Sequence, residues 1–288
     1  MSANINQLNY TLRAMRAEDV VQAHQLTQKL CWPHRQEDWL TMVHLATAMV
    51  IEHDGKLIGT ACAVVQGEYT SLGLVVIADD YQGYGLGREL VTAVMEASQS
   101  SSFFLSATAA GTPLYTKLGF QEYARIHQYQ GQVTQSACAH RDESSSYRIR
   151  RLTESDAPQM IALLNRASGM DRSHVFAEVQ KNTEYSVGLE KEGRLIGFAS
   201  YRRFGRGEAI GPVIANDASE AKALLRYLLA ENVGKFVRVD TPERYQLEHE
   251  LNEWGLSQVD DISAMYLGQK PSPSSSLQTY CLITQALG

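Results

Sequence analysis

The sequence predicts a mixed α/β protein of the α+β class, in which two similar domains follow one another along the chain. Stretches with the two-residue period of strands alternate with stretches that have the spacing of amphipathic helices. Three segments recur at an offset of 137 or 138 residues: Tyr10–Asp19 with Tyr147–Asp156, Gly55–Gly59 with Gly193–Gly197, and Leu72–Val76 with Ile210–Ile214. This near-constant offset indicates an internal duplication, and 288 residues suffice for two cores of ordinary size.

The first copy is predicted to begin with a strand and two helices. Tyr10–Met15 alternates between apolar and polar residues, and apolar residues at helical spacing follow from Arg16 to Leu26. After the loop Cys31–Arg35, a second helix is expected over Glu37–Leu45. Met49–Val65 indicates a hairpin, because Asp-Gly between two alternating runs is a strong turn pattern.

The most informative stretch of the first copy runs from residue 72 to residue 95. Leu72–Ile77 is apolar and β-branched, which indicates a buried strand, and Gly83, Gly85 and Gly87 precede a helical pattern. Glycines let the backbone approach a ligand, and the first amides of a helix have no partner within it, so this turn suits an anion. The copy is completed by a strand over Phe103–Ala107, a short helix over Thr112–Leu118 and a strand over Gln121–Tyr129.

The second copy differs from the first at the glycine turn. Polar, serine-rich residues 131–146 are predicted to link a domain at 1–130 to a domain at 147–288. Instead of the glycines, the second copy has Asn216–Ala223, a helix-forming run whose side chains should exclude a diphosphate. Leu251 stands where the first copy has Tyr115, and Tyr280–Thr284 is expected to add an edge strand.

Composition and charge argue against several functional classes. The net charge of −6 and the pI of about 5.8 are unfavourable for a nucleic-acid surface. The sequence contains neither an apolar run of membrane-spanning length nor a signal-peptide core, so no membrane partner is expected. The four cysteines are widely spaced, which favours reduced thiols in a cytoplasmic protein over a zinc site or a disulfide frame.

Two motifs of the first copy resemble the GNAT family of N-acetyltransferases. Gln82–Gly87 matches the signature Gln/Arg-x-x-Gly-x-Gly/Ala, with which that family binds the diphosphate of acetyl-CoA. Ala109–Phe120 resembles the family's late segment, in which a short helix carries a tyrosine and ends in Leu-Gly-Phe. Parts of the second copy resemble the C-terminal half of a bacterial tandem-GNAT group: Ile210–Val213, Val239–Pro242 and Met265–Gly268. The second copy would then be a degenerate GNAT domain.

The resemblance implies a fold, a cosubstrate and a set of site residues. Each domain would be a mixed, mostly antiparallel sheet flanked by helices, and acetyl-CoA would be the cosubstrate, with no metal. The family's central strand opens at a bulge and binds pantetheine with its backbone, which here implies Val75, Val76 and Ile77. The resemblance assigns the rest of the cofactor site to the loop residues Gln82, Gly83, Tyr84, Gly85, Leu86, Gly87 and Arg88. Tyr115 stands where the family has the tyrosine that protonates the CoA sulfur.

The acceptor is expected to be a primary amine of a small molecule or a peptide, bound by a monomer or a homodimer. Trp32 and His34 lie where GNAT proteins admit the amine. The central strand has no carboxylate, so the general base stays open between Glu68, Asp240 and a relay of water. Asp240 is expected nearest the amine if the second copy folds back over the first. The competing function is a non-catalytic acetyl-CoA sensor or scaffold, but such a protein has no need of an acid such as Tyr115.

Overall fold

The structure is a computed structural model that describes residues 9–138, 147–273 and 276–288. The elements of the first copy are β1 (Thr11–Ala14), α1 (Val20–Lys29), α2 (Gln36–Leu45), β2 (Thr47–His53), β3 (Lys56–Gln66), β4 (Tyr69–Ile77), α3 (Leu86–Ser98), β5 (Phe103–Ala107), α4 (Thr112–Lys117) and β6 (Gln121–Gln132). Those of the second copy are β7 (Arg148–Arg151), α5 (Ala157–Ser168), α6 (Ser173–Gln180), β8 (Thr183–Lys191), β9 (Arg194–Phe204), β10 (Gly207–Ala215), α7 (Ala218–Ala230), β11 (Phe236–Pro242), α8 (Glu248–Glu253), β12 (Ser257–Leu267) and β13 (Gln278–Cys281). The same order of elements occurs twice before β13, which confirms the predicted tandem α/β fold.

The described strands of both copies form one continuous sheet. Its order is β1-β2-β3-β4-β5-β12-β6-β11-β10-β9-β8-β7, and β13 pairs with β10. β12 of the second copy pairs antiparallel with β5 of the first, while β6 of the first copy pairs antiparallel with β11 of the second. β6 and β12 also pair with each other at the centre of the sheet. Each copy therefore gives its last strand of the repeat to the other copy.

A hydrophobic core between the helices also joins the two copies. Trp39 and Met42 of α2 belong to the same buried cluster as Phe176 and Val179 of α6. Trp39 is fully buried, and its indole Nε1 donates to Thr27 Oγ1 at 3.1 Å. Since a buried Phe or Met side chain contributes roughly 1.5–3 kcal/mol, this contact stabilises the pair of copies in addition to the shared sheet. In the described parts of the chain, no helix has the length and apolar character that crossing a membrane requires.

Two segments differ from their predicted conformation. In the stretch predicted as a linker, residues 131 and 132 complete β6, and Gln135–Cys138 forms a 3-10 helix. The polar sequence of this stretch does not show the alternation of a strand. Gly131 passes so close to Gly255 that a Cβ built on Gly131 would lie 2.1 Å from the Gly255 oxygen, so this position needs a glycine. Residues 139–146 of the predicted linker lie outside the described residues. At the other end, β13 is not an edge strand, because it lies against β10 and also bonds to β11.

The exchange of strands predicts that the first copy cannot fold alone as a monomer. A fragment of residues 1–138 would lack β11 and β12, so that β5 would expose an unpaired edge and β6 would lose both of its neighbours. Unpaired edges promote association. We expect this fragment to self-associate or to unfold without a cooperative transition, as measured by light scattering and circular dichroism. Co-expression with residues 139–288 should restore a soluble complex. A stable, monomeric fragment would contradict the exchange.

Candidate active site

The central feature of the first copy is a cleft between β4 and β5, which are parallel. The two strands pair only over Thr70–Leu72 and Phe103–Leu105 and then separate. Opposite β3, the register of β4 shifts between Gly73 and Val76, and Leu74 has a left-handed φ of 51°. Such a conformation is strained for leucine, and strain of this kind is common at functional sites. The predicted residues Val75, Val76 and Ile77 thus lie beyond the last pair with β5, so the β4 edge that they form faces the cleft unpaired.

The glycine turn forms the mouth of the cleft at the N-terminus of α3. Gly83 and Gly85 have φ values of 83° and 84°, which glycine adopts without strain, and Gly85 caps the helix. The backbone amides of residues 83–87 make no hydrogen bond to a described residue. Leu86 is buried and anchors the turn to the core. A row of free amides at a helix N-terminus is suited to binding a diphosphate.

Two of the loop residues make hydrogen bonds within the loop itself. The side-chain amide of Gln82 donates to the Ile77 oxygen and to Asp79 Oδ1, both at 3.0 Å, so Gln82 holds the loop in shape. The Arg88 amide donates to the Gly85 oxygen at 3.0 Å and is therefore not available to a ligand. The exposed Arg88 side chain forms no ion pair within the described ranges, and it is free to contact a phosphate. Tyr84 is half-buried between the two glycines.

Tyr115 lies on α4, next to the glycine turn. A Cβ placed on Gly87 would lie 3.4 Å from Leu114 Cδ2, so the absence of a side chain at Gly87 lets α4 pack against the start of α3. Tyr115 is buried and contacts Phe120 edge to face, with ring centroids 5.7 Å apart. Its hydroxyl has no hydrogen-bond partner among the described residues. Burial raises the pKa of Tyr115, because the charged phenolate loses its hydration there, so the hydroxyl keeps its proton at neutral pH.

A cavity of about 280 Å³, named here the first-copy cavity, lies beside the bulge of β4. Trp32 and His34 line it together with Leu72–Leu74. The opposite wall comes from the second copy, with Arg206 of the β9–β10 turn, Arg238 of β11 and Asp260 of β12. Since both copies line this cavity, neither forms it alone.

His34 is neutral in this cavity at neutral pH. Its ring contacts the Phe204 ring edge to face, with centroids 5.5 Å apart, and its centroid lies 5.9 Å from that of the Trp32 ring. Burial lowers the pKa of His34 to about 4, although nearby Asp38 opposes that shift. Its Nδ1 is buried and has no hydrogen-bond partner among the described residues. Because an unpaired buried polar atom is costly, this nitrogen is a natural contact for a polar ligand.

Neither Glu68 nor Asp240, the two carboxylates that the sequence leaves open as the general base, lines the first-copy cavity. Glu68 is exposed in the turn between β3 and β4 and does not line the cavity. Asp240 is buried and accepts hydrogen bonds from Arg238 at 2.9 and 3.0 Å and from Gln285 Nε2 at 3.0 Å. Arg238 and Gln285 both line the cavity, whereas Asp240 does not. Asp240 therefore orients two residues of the cavity wall without lining the cavity itself.

The sequence does not predict the role of residues 282–288, named here the C-terminal tail. Gln66 and Arg172 donate to the Leu287 oxygen, and Arg202 donates to the Ile283 oxygen. These bonds hold Thr284–Ala286 against the first-copy cavity. Ala286 packs on Gly73, because a Cβ built on Gly73 would lie 2.6 Å from the Ala286 Cβ. The sequence analysis does not identify Asp260 and Arg206 either. The available signal is the pair Gln128 and Gln130, two polar residues spaced by two on β6 that line the same cavity.

The corresponding cleft of the second copy is closed at two points. The Asp217 side chain accepts from the Glu220 amide at 2.9 Å, and the Glu220 side chain accepts from the Asn216 amide at 2.8 Å. The start of α7 is thereby capped by two carboxylates, which repel an anion. Between β10 and β11, β13 pairs with Val213–Ala215, and Thr241 Oγ1 donates to the Tyr280 oxygen at 2.8 Å. The strand occupies the backbone edge that stays open in the first copy.

Comparison with known proteins gives consistent matches. Two family models described as acetyltransferase (GNAT) domain match residues 44–122 and 160–281. The chain is 30% identical over 238 residues to the uncharacterized N-acetyltransferase YitH of Bacillus subtilis, covering 81% of this chain and 82% of YitH. A candidate acetyltransferase of Pyrococcus horikoshii has a similar fold, with a TM-score of 0.79 and 18% identity over 97% of this chain and 96% of that one. A tandem GNAT protein from the clavulanic acid biosynthesis pathway has a TM-score of 0.65 and 12% identity, over 92% and 100% of the two chains.

Proposed function

Because the chain belongs to the GNAT family of acetyltransferases, we propose that it transfers the acetyl group of acetyl-CoA to a primary amine of a small molecule. The observation that carries this proposal is the arrangement of the first-copy cleft. Three features of the first copy support it: the free amides of residues 83–87, the unpaired edge of β4, and Tyr115 on α4, the helix that packs against the start of α3. These groups supply a diphosphate site, a backbone edge for pantetheine and an acid for the sulfur.

The proposed reaction is a direct attack of the amine on the thioester. The amine nitrogen forms a bond to the carbonyl carbon, and a free backbone amide of Val75–Ile77 stabilises the negative charge that develops on the carbonyl oxygen. One such donor typically contributes about 3 kcal/mol to lowering the barrier. As the C–S bond breaks, Tyr115 gives its proton to the sulfur and regains one from the solvent. The proton lost by the amine leaves through the first-copy cavity.

The first-copy cavity is the proposed acceptor site. Asp260 presents a carboxylate whose only hydrogen bond with a described residue comes from the Asp261 amide, at 2.9 Å. Such a group attracts an ammonium ion and can take its proton. The neutral His34 offers Nδ1 as a further acceptor, and the exposed Arg206, without an ion pair in the described ranges, suits an acidic group elsewhere on the acceptor. The volume of about 280 Å³ favours a small molecule over a peptide.

The substitution Asp260→Asn should raise the acceptor KM by roughly tenfold and leave the KM for acetyl-CoA unchanged, because one charge-assisted contact is lost. Steady-state kinetics with both substrates varied measures the two constants. Asp261→Asn is the matched control, since this neighbouring carboxylate pairs with Arg125 at 2.6 Å and does not line the cavity. Equal effects of the two substitutions would remove Asp260 from the acceptor site.

The function itself is tested by measuring the release of free CoA from acetyl-CoA in the presence of a library of amines. The library should contain matched pairs that differ only in a second, acidic group, so that the role of Arg206 is tested as well. Release of CoA that depends on one class of amine, with the acetylated product found by mass spectrometry, is the expected result. Binding of acetyl-CoA without turnover on any amine would favour the sensor or scaffold instead.

A further inference from the structure

A second cavity, of about 420 Å³, lies in the second copy and is named here the second-copy cavity. It is lined by the α5–α6 loop, by the ends of β11 and β12, and by β5 and β6 of the first copy. An offset of about 133–137 residues maps these elements onto the ones that line the first-copy cavity. The duplication has therefore kept an acceptor-side cavity in the copy that has lost its cofactor site.

No thioester can reach the second-copy cavity along the route used in the first copy. β13 fills the space between β10 and β11, and Gln278 and Thr279 of this strand form part of the cavity wall. The start of α7 is capped by Asp217 and Glu220. A ligand in this cavity would be bound without being acetylated.

The described side chains that line the second-copy cavity carry charge of only one sign. Arg172, Arg244 and Lys270 line it, and no acidic side chain is present among its described lining residues. Arg244 and Lys270 are exposed at its mouth, and neither has an ion pair in the described part of the chain. Phe104, Ile126 and Met170 contribute apolar surface to its walls. A ligand that fits would combine an anionic group with an apolar body.

Arg172 is the buried cation of this cavity, with 2% of its surface exposed. Its Nε and Nη2 donate to Gln66 and to the oxygens of Leu287 and Gly288, while its Nη1 makes no hydrogen bond to a described residue. Burial lowers the pKa of Arg172 to about 10, so it remains charged at neutral pH. The equivalent Arg35 of the first copy pairs with Asp38 at 2.8 Å, but Val175 replaces that carboxylate in the second copy. The Gly288 oxygen that Arg172 binds belongs to the last residue of the sequence, and Gly288 also lines the cavity. A ligand therefore meets Arg172 only through Nη1, and the exposed Arg244 and Lys270 supply the charge that favours an anionic ligand.

We infer that the second-copy cavity is a binding site for a small organic carboxylate, bound by Arg172, Arg244 and Lys270 and packed against the apolar wall. The Arg244 guanidinium can match a carboxylate in two-point geometry, and the apolar wall favours an acid with a hydrocarbon body over a bare inorganic anion. This site is distinct from the acceptor site of the proposed acetyl transfer and does not depend on it.

The test is isothermal titration of the full chain with phenylacetate and hexanoate, without acetyl-CoA. We expect saturable binding of at least one carboxylate at one site per chain, with phenylacetamide and inorganic phosphate each binding at least tenfold more weakly. The double substitution Arg244→Gln/Lys270→Gln should weaken that binding about tenfold, and both side chains are exposed, so the fold should be kept. Arg172→Lys, which keeps the charge, should weaken it less than Arg172→Met.

Arg206→Gln is the matched control, because Arg206 is an exposed arginine that lines the first-copy cavity instead. It should leave carboxylate binding unchanged. The inference is overturned if neither carboxylate binds, if phenylacetamide binds as well as phenylacetate, or if phosphate binds more tightly than both acids. It is also overturned if Arg206→Gln weakens binding as much as the double substitution does, since the carboxylate then occupies the other cavity.

Discussion

The substitution Gly85→Asp should lower the affinity for acetyl-CoA by roughly 100-fold or more, because like charges brought together at a binding site cost several kcal/mol. Gly85 caps α3 and lies among the free amides that the proposal assigns to the diphosphate. A carboxylate at this position would take the place of the phosphate oxygens and repel them. The φ of 84° strains most side chains, but aspartate is among the residues that tolerate the left-handed region, so the fold should be retained.

Two further variants separate charge from strain in this experiment. Gly85→Asn introduces a side chain of the same size without its charge and should weaken binding less than the aspartate does. Gly193→Asp places the same side chain at a φ of 74° in the β8–β9 turn, where nothing lies within 4 Å of its Cβ, and should leave binding unchanged. Calorimetry should give one acetyl-CoA per chain for the parent protein. Two equivalent sites, or full affinity in Gly85→Asp, would contradict the proposed cofactor site.

The substitution Tyr115→Phe should lower kcat by roughly 10²–10³-fold while changing the affinity for acetyl-CoA little, the usual range for the loss of a general acid. The Tyr115 hydroxyl has no partner among the described residues, so its removal leaves no buried group unpaired, and the free energy of unfolding should stay nearly the same. Tyr69→Phe is the matched control: Tyr69 is also buried in the first copy, but its hydroxyl bonds to the Lys270 oxygen at 3.4 Å. A fully active Tyr115→Phe variant would assign Tyr115 to packing.

The pH dependence of kcat gives a second test of Tyr115. Burial raises the pKa of this phenol above its ordinary value of 10.0, so the acid stays protonated throughout the range in which amines lose their protons. We therefore expect kcat to rise with pH as the acceptor is deprotonated and to show no fall below pH 10. A fall of kcat between pH 7 and pH 9 would indicate that a different acid donates the proton.

The sequence predicts the features that arise from neighbouring residues. The glycine turn, the strand before it and α4 with Tyr115 each depend on a short run whose residue types determine the local conformation. The duplication is equally accessible, because it is a comparison of the chain with itself. The absence of the glycine turn from the second copy also follows from the run at 216–223, although the capping by Asp217 and Glu220 emerges only in the structure.

The sequence does not reveal which of two similar strands pairs with a given neighbour. β6 and β12 are equivalent strands of the two copies, so the pattern of either fits next to β5, and only the three-dimensional packing selects β12. That Asp260 lines the first-copy cavity is hidden from the sequence for a related reason. The register of β12 shifts between Gln258 and Asp260, and one extra residue at such a bulge reverses which side chains face a cavity. The contacts of the C-terminal tail join residues more than 80 positions apart, which no local pattern marks.

The exchanged strands also determine when a newly made chain can become active. The 124 residues between β6 and β12 take about 6–25 s to synthesise at the usual rate of about 5–20 residues per second. Throughout that interval the first copy has left the ribosome without the strand that completes its sheet, and β5 carries an unpaired edge. The C-terminal tail, which closes the wall of the first-copy cavity, emerges later still. A ribosome that stops early therefore releases a chain that contains every residue of the cofactor loop but has no finished active site.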